Sequence, residues 1–174
     1  AAPDDVVHAA GLFLVAGPEP ARLVLTLRAE HLPTHRGQVS LPGGVREPDE
    51  TLEAAALREA HEEAGLESHH VRVLGQLSPL FIPVSRFLLH PVVALCDRLP
   101  PPRPSPDEVS RILTPDLEQL ADPSRLRVAA WKLAGRERDV PLIEVEGELL
   151  WGATAMIVAE FLALAGRPLR VPGA

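Results

Sequence analysis

The sequence predicts an α+β domain, an α/β/α sandwich in which a mixed β-sheet is flanked by helices, and three observations lead there. Segments rich in Val and Leu and bounded by Gly and Pro outnumber the helical ones; the helical segments come singly between groups of strands; and no internal repeat is visible. A length of 174 residues with 46% hydrophobic content suits one domain, residues 1–174, with one core and one site.

Residues 6–16 and 22–28 read as two strands joined by a turn at Gly17-Pro18-Glu19-Pro20, and residues 39–41 as a short third strand. Residues 49–64 contain no Gly or Pro and are dominated by good helix formers, with Gly65 placed as a left-handed C-terminal cap. Residues 71–77 and 87–96 are extended again, the second despite Pro91, which suits an edge position or a bulge. The proline cluster at 99–106 is a loop. Beyond it come a strand at 108–113, a short helix over 115–120 begun by Thr114, and a strand at 128–132. A hairpin of 141–145 and 148–151 turns around Gly147. The apolar run 153–165 is interrupted by Glu160 and too short to span a bilayer, so it reads as a buried helix.

A formal net charge of −7 and a pI near 5.5 leave no broad basic surface for long nucleic acids. The expected partner is a small anionic molecule, not a nucleic acid or a membrane, held with local help from metal ions and a few arginines. The oligomeric state is open. The single cysteine, Cys96, can form no internal disulfide or thiolate cage. That points to a reducing compartment, the cytoplasm, and the acidic start of the chain does not resemble a secretory signal.

Glu59, Glu62 and Glu63 stand at i, i+3 and i+4, so on a helix they share an arc of roughly 100°. Ala56, Ala60 and Ala64, with Leu57, form a neighbouring stripe that can pack closely on a sheet. Three convergent carboxylates repel one another unless solvent or a divalent cation offsets the charge. Their hard oxygens suit Mg²⁺ or Mn²⁺, and without paired His or Cys ligands zinc is disfavoured. A solvated acidic face is the plain alternative. Before the helix, Leu41-Pro42-Gly43-Gly44 reads as a glycine turn that lets backbone approach a ligand or metal.

The segment GVREPDETLEAAALREAHEEAGL, from Gly44 to Leu66, matches every fixed position of the box that defines the Nudix hydrolases, and the chain resembles that family. The resemblance implies a Nudix fold and metal-dependent cleavage of a nucleoside diphosphate linked to another group. It implies that Glu59, Glu62 and Glu63 bind the metal, joined by the Gly44 carbonyl, that Glu50 is a supporting glutamate, and that Arg58 orients the glutamates. The i+4 spacing of Arg58 to Glu62 makes their pairing reasonable.

A second resemblance lies upstream. Val24-Leu25-Thr26-Leu27-Arg28-Ala29, then Gly37, then Leu41-Pro42-Gly43-Gly44 is similar to the motif of coenzyme A pyrophosphatases, with Pro33 where that motif has Arg and Leu41 where it has Phe. Pro106 to Val109 and Trp151 to Ala155 resemble downstream features of the same subfamily. This likeness implies hydrolysis of coenzyme A or its derivatives to 3′,5′-ADP and 4′-phosphopantetheine. It places Arg28, His35, Arg36, Gly37 and Gly43 at the substrate, with Arg28 suited to grip a phosphate in bidentate fashion. Glu62, Glu63, Arg58 and Glu108 form the expected catalytic set, with Glu62 or Glu108 as general base. Pyrophosphatases for ADP-ribose, dinucleotides or damaged nucleotides, and a nucleotide-sensing Nudix module that does not cleave, remain as other readings.

Overall fold

The computed structural model describes residues 5–32, 37–133 and 135–169. Along them run β1 (Val7–Ala16), β2 (Arg22–Leu23), β3 (Leu25–Arg28), β4 (Val39–Ser40), β5 (Gly43–Val45), α1 (Leu52–Ala64), β6 (Arg72–Gln76), β7 (Leu80–Ile82), β8 (Phe87–Cys96), β9 (Val109–Leu113), α2 (Leu117–Ala121), β10 (Leu126–Leu133), β11 (Arg136–Val145), β12 (Glu148–Leu150) and α3 (Gly152–Leu164).

The central sheet is mixed. β1 lies parallel to β8 over its whole length, while β2 and β5 add antiparallel to β1, and β6 and β7 add antiparallel to β8. Alternate residues of the central pair serve two cores. Ala10, Leu12, Leu14 and Ala16 of β1, with Val92, Ala94 and Cys96 of β8, pack beneath Ala55, Ala56, Ala60 and Ala64 of α1. Phe13, Val15 and Val93 point the other way, onto Leu23, Leu25 and Leu113 and onto Ile157, Val158 and Leu162 of α3. A strand buried on both faces reads as a nearly continuous apolar run, which is what residues 9–16 show. The predicted sandwich is the observed one. Two small antiparallel sheets, β4-β3-β9 and β10-β11-β12, complete the layer on the α3 side.

α1 begins later than its composition suggests, because Pro48 and Asp49 form a turn and Thr51 takes the N-cap. The Thr51 hydroxyl accepts the Ala54 N–H at 3.1 Å. Replacing Thr51 with Ala leaves that donor unmet and is expected to cost about 1 kcal/mol, read as a lower urea midpoint at unchanged slope. At the other end Gly65 adopts φ +66°, the left-handed cap the sequence predicts.

Four expectations are corrected. The strand expected over 22–28 is two: Val24 donates its N–H to Leu14 O and buries its side chain under α1, and the chain then leaves the central sheet to pair with β4 and β9. Pro91 sits in a central strand, not at an edge; its carbonyl accepts Leu77 N–H, so its missing N–H faces the gap where β6 gives way to β7. The short helix starts at Leu117 with Asp116, not Thr114, in the N-cap position and without a side-chain capping bond, because Pro115 and Asp116 are still extended, the Pro115 carbonyl accepting Leu23 N–H and Asp116 bridging to Arg22. Finally, residues 136–140 extend a long hairpin with β10, in which Trp131 faces Arg138 and Ala130 faces Asp139. The exposed charged residues Glu137, Arg138 and Asp139 carry no apolar alternation, so only backbone pairing marks the strand there.

Candidate metal centre

The site is assembled where α1 crosses the end of the central sheet. Two turns of chemistry on the helix are held in place from both ends. At its C-terminus the unpaired carbonyls of Glu63 and Ala64 accept the N–H groups of Ser105 and Arg103 at 3.0 and 2.8 Å. The proline-rich loop is thereby fastened to the helix, and it delivers Glu108, which follows it, close enough for its charge to act on both Glu59 and Glu63.

Arg58 organises the other end. Its Nε and Nη2 donate to Glu50 Oε1 and Oε2 at 3.0 and 3.1 Å, a bidentate clamp, while Nη2 also reaches Val45 O at 3.1 Å. Nη1 donates to Glu59 Oε1 at 2.7 Å and to Glu62 Oε2 at only 3.4 Å. The i+4 partner predicted from helix geometry is thus the weakest of its contacts, and Glu50, eight residues earlier, is the strongest anchor. The Arg58 guanidinium holds Glu50 below the usual carboxylate range. Arg46, which the sequence reading did not single out, fixes the same loop through Nη1 to Glu50 O at 2.9 Å.

The three helix glutamates occupy different environments. Glu62 is open to solvent, its side chain 55% exposed. Glu59 is largely covered, and burial raises its pKa against the pull of Arg58. Glu63 is only 3% exposed, and burial pushes its pKa up to about 7, opposed first by the Gly43 N–H that donates to its Oε2 at 3.0 Å.

Gly43 and Gly44 lie in β5 rather than in a turn, and neither has positive φ. They are glycines because the space is taken. A Cβ on Gly43 would overlap the Ala10 carbonyl, and one on Gly44 would fall 2.5 Å from the Glu59 carboxyl. The absence of side chains lets β5 press against β1 while the helix carboxylates close over it.

Arg28, at the end of β3, has its Nε buried with no hydrogen-bond partner among the described residues, and its charge acts on Glu63. Gly37, at φ +64°, donates its N–H to Arg28 O at 3.1 Å and closes the turn beside it. The structure thus brings together Arg28, Gly43, Gly44, Arg58, Glu59, Glu62, Glu63 and Glu108, with Gly37 next to Arg28. His35 and Arg36 lie outside the described residues.

Among the described residues no three His, Cys, Asp or Glu side chains already close around one point. Glu59 and Glu62 are engaged by Arg58, and Glu63 by the Gly43 amide. The donor set nevertheless fits a hard dication: it is all oxygen, and it includes a buried carboxylate whose ionised form lacks a full counter-charge.

A pH dependence follows from Glu63. Its pKa in the fold, about 7, lies above the ordinary 4.5, so between these limits the folded chain keeps a proton that the unfolded chain has released. The stability this group supplies is complete below pH 4.5 and is lost as pH rises to about 7, by up to ~3 kcal/mol. Thermal unfolding in chelator should show that loss in the wild type and not in Glu63→Gln. Added Mn²⁺ should restore most of it.

The NUDIX domain family matches residues 7–134. The uncharacterized Nudix hydrolase NudL of Photorhabdus laumondii is 37% identical over 160 residues, covering 89% of this chain and 83% of the relative. Among solved structures, the Nudix hydrolase RenU of M. smegmatis superposes with a TM-score of 0.57 at 30% identity, over 67% of this chain and 74% of its own. The C. elegans Ap4A hydrolase superposes with a TM-score of 0.63 at 20% identity, over 92% and 99%. That last likeness is one of fold.

Proposed function

The chain belongs to the Nudix hydrolases, which act on pyrophosphate bonds of nucleoside diphosphate derivatives, and from that membership we propose that it cleaves coenzyme A or a derivative to 3′,5′-ADP and 4′-phosphopantetheine, in the cytoplasm and with Mg²⁺ or Mn²⁺. The observation that carries the substrate class is Arg28. A buried guanidinium nitrogen without a partner, set beside a buried glutamate, is costly unless a ligand completes it, and a phosphate oxygen does so. The coenzyme A reading rests on the sequence around that arginine, residues 24–29, Gly37 and 41–44, which runs through β3, the Gly37 turn and β5, with Gly43 and Gly44 against the Glu63 and Glu59 carboxyls.

In this reading Glu59, Glu62 and Glu63, with the Gly44 carbonyl, hold the metal. When bound, the ion neutralises charge on the pyrophosphate and makes a coordinated water more acidic. Arg58, clamped on Glu50, fixes the Glu59 carboxylate, so the site is ordered before substrate arrives. The Gly43 N–H orients the Glu63 carboxylate. Arg28 binds a substrate phosphate, and His35, Arg36 and Gly37 complete the substrate side. The proton of the attacking water passes to Glu62 or Glu108, the two exposed carboxylates of the group. A direct attack by water leaves no covalent enzyme intermediate.

Incubation of the protein and Mg²⁺ with coenzyme A, ADP-ribose, NADH and modified nucleoside triphosphates tests the substrate. Formation of 3′,5′-ADP and 4′-phosphopantetheine at the highest kcat/KM of the four is the expected result. Equal rates on all four would defeat the coenzyme A assignment while leaving the family's chemistry in place.

A further inference from the structure

Among the described residues, His8 and His90 are a pair of ligating side chains outside the carboxylate site that are joined by a contact between their ring nitrogens. In the parallel register of β1 and β8, His8 sits opposite Leu88 and His90 opposite Ala10, two places apart on the same face of the sheet. Their ring planes are inclined by only 22° with centroids 5.2 Å apart, and they meet edge to edge, His8 Nδ1 lying 3.0 Å from His90 Nε2. Two imidazole nitrogens at that distance share a single proton, one donating and the other accepting.

We propose that His8 and His90 form a second metal site, taking a borderline dication such as Zn²⁺, Ni²⁺ or Cu²⁺ in place of that shared proton, which moves to the outer nitrogen of its own ring so that His8 Nδ1 and His90 Nε2 both present lone pairs. Metal–nitrogen bonds of 2.0–2.1 Å at a tetrahedral angle place two imidazole nitrogens about 3.3 Å apart, so the pair needs to open by a few tenths of an ångström and each ring to turn by roughly 35°, bringing both in-plane lone pairs onto the ion. His8 is exposed and His90 half-buried, which leaves room for water to fill the remaining positions. The charged groups that act on His90 are His8 and Arg46, and no carboxylate is among them. Two neutral nitrogens with no anionic oxygen suit imidazole-seeking ions and give Mg²⁺ nothing it prefers. Burial and the neighbouring ring keep His90 in the neutral form that ligation requires. Arg46 opposes any cation there, but its Nη1 is directed to the Glu50 carbonyl. The site therefore differs in ligand type from the carboxylates of α1 and does not depend on the reaction assigned to them.

The test is titration calorimetry of the whole chain with Zn²⁺, Ni²⁺, Cu²⁺ and Mn²⁺ in the presence of saturating Mg²⁺. The expected result is one equivalent of transition metal beyond any that displaces Mg²⁺ from the α1 carboxylates, bound tightest as Cu²⁺ and weakest as Mn²⁺. Affinity should fall at least about tenfold in each of His8→Ala and His90→Gln, in line with losing half of the protein ligands. It should be unchanged in Glu59→Gln/Glu63→Gln and in His69→Ala/His70→Ala, the latter removing the other histidine ring pair among the described residues. His8 is exposed, so His8→Ala reports even where a change in the central strand perturbs folding. Binding that survives both histidine changes, binding that vanishes with the glutamates instead, or no binding to the wild type overturns the assignment.

Discussion

Replacing Glu63 with Gln is expected to lower kcat by about 10³-fold and to weaken Mn²⁺ binding sharply, while leaving the fold at least as stable as the wild type at neutral pH. The two halves of that result have one cause. Glu63 is 3% exposed, and its ionised form is disfavoured enough to lift its pKa to about 7. A glutamine keeps the length and an oxygen that accepts the Gly43 N–H, so β5 stays docked on the helix. What disappears is the charge. A structural carboxylate would behave oppositely, losing stability with little change in turnover, so steady-state kinetics and denaturation on the same sample separate the two roles. Turnover and Mn²⁺ affinity near wild-type values would remove Glu63 from the metal site.

Gly43→Ala is the second large effect, and it should act on the fold. The added methyl would overlap the Ala10 carbonyl and crowd Gly11 Cα at 2.6 Å, both backbone atoms of the central strand that cannot swing aside. Overpacking of this kind costs about 3 kcal/mol, or the loss of β5 from the sheet, which also withdraws the Gly43 N–H from Glu63. Gly44→Ala makes a useful contrast. Its methyl meets the Glu59 carboxyl, the movable end of a side chain, so the substitution should displace Glu59, weaken metal binding and spare most of the stability. A thermal-shift comparison of the two variants, with and without Mn²⁺, reads both outcomes. Equal stability losses would mean that the close approach of β5 to β1 is not what requires glycine at 43.

Much of this arrangement is written in local pattern. The alanine stripe beside Glu59, Glu62 and Glu63 marks a helix that must lie close to a sheet, and the structure places Ala55, Ala56, Ala60 and Ala64 against β1 and β8. Gly65 marks the helix end, and Glu146-Gly147, both with positive φ, form the turn of the hairpin read from Gly147. What local pattern does not carry is partner choice across distance. Nothing near Arg58 reveals that Glu50 rather than Glu62 takes its strongest bonds, because the i+4 rule describes an isolated helix and the loop before α1 folds back over it. The glycines of β5 were visible, but their reason was not: a close approach looks the same in sequence as a turn. Val24 likewise looks like any residue of a strand, and only the burial of its side chain under α1 explains why the chain changes sheets there. The motif marks Arg28 as a phosphate ligand, while the burial of its Nε and the action of its charge on Glu63 belong to the fold.

The central claim is that Glu59, Glu62 and Glu63 gather a divalent ion at one edge of α1. Anomalous scattering from crystals soaked in Mn²⁺ tests it most directly. Density bounded by those three carboxylates and the Gly44 carbonyl, with Arg58 still clamped on Glu50, is the expected result. Manganese bound elsewhere, or that edge empty at saturating Mn²⁺, would contradict it.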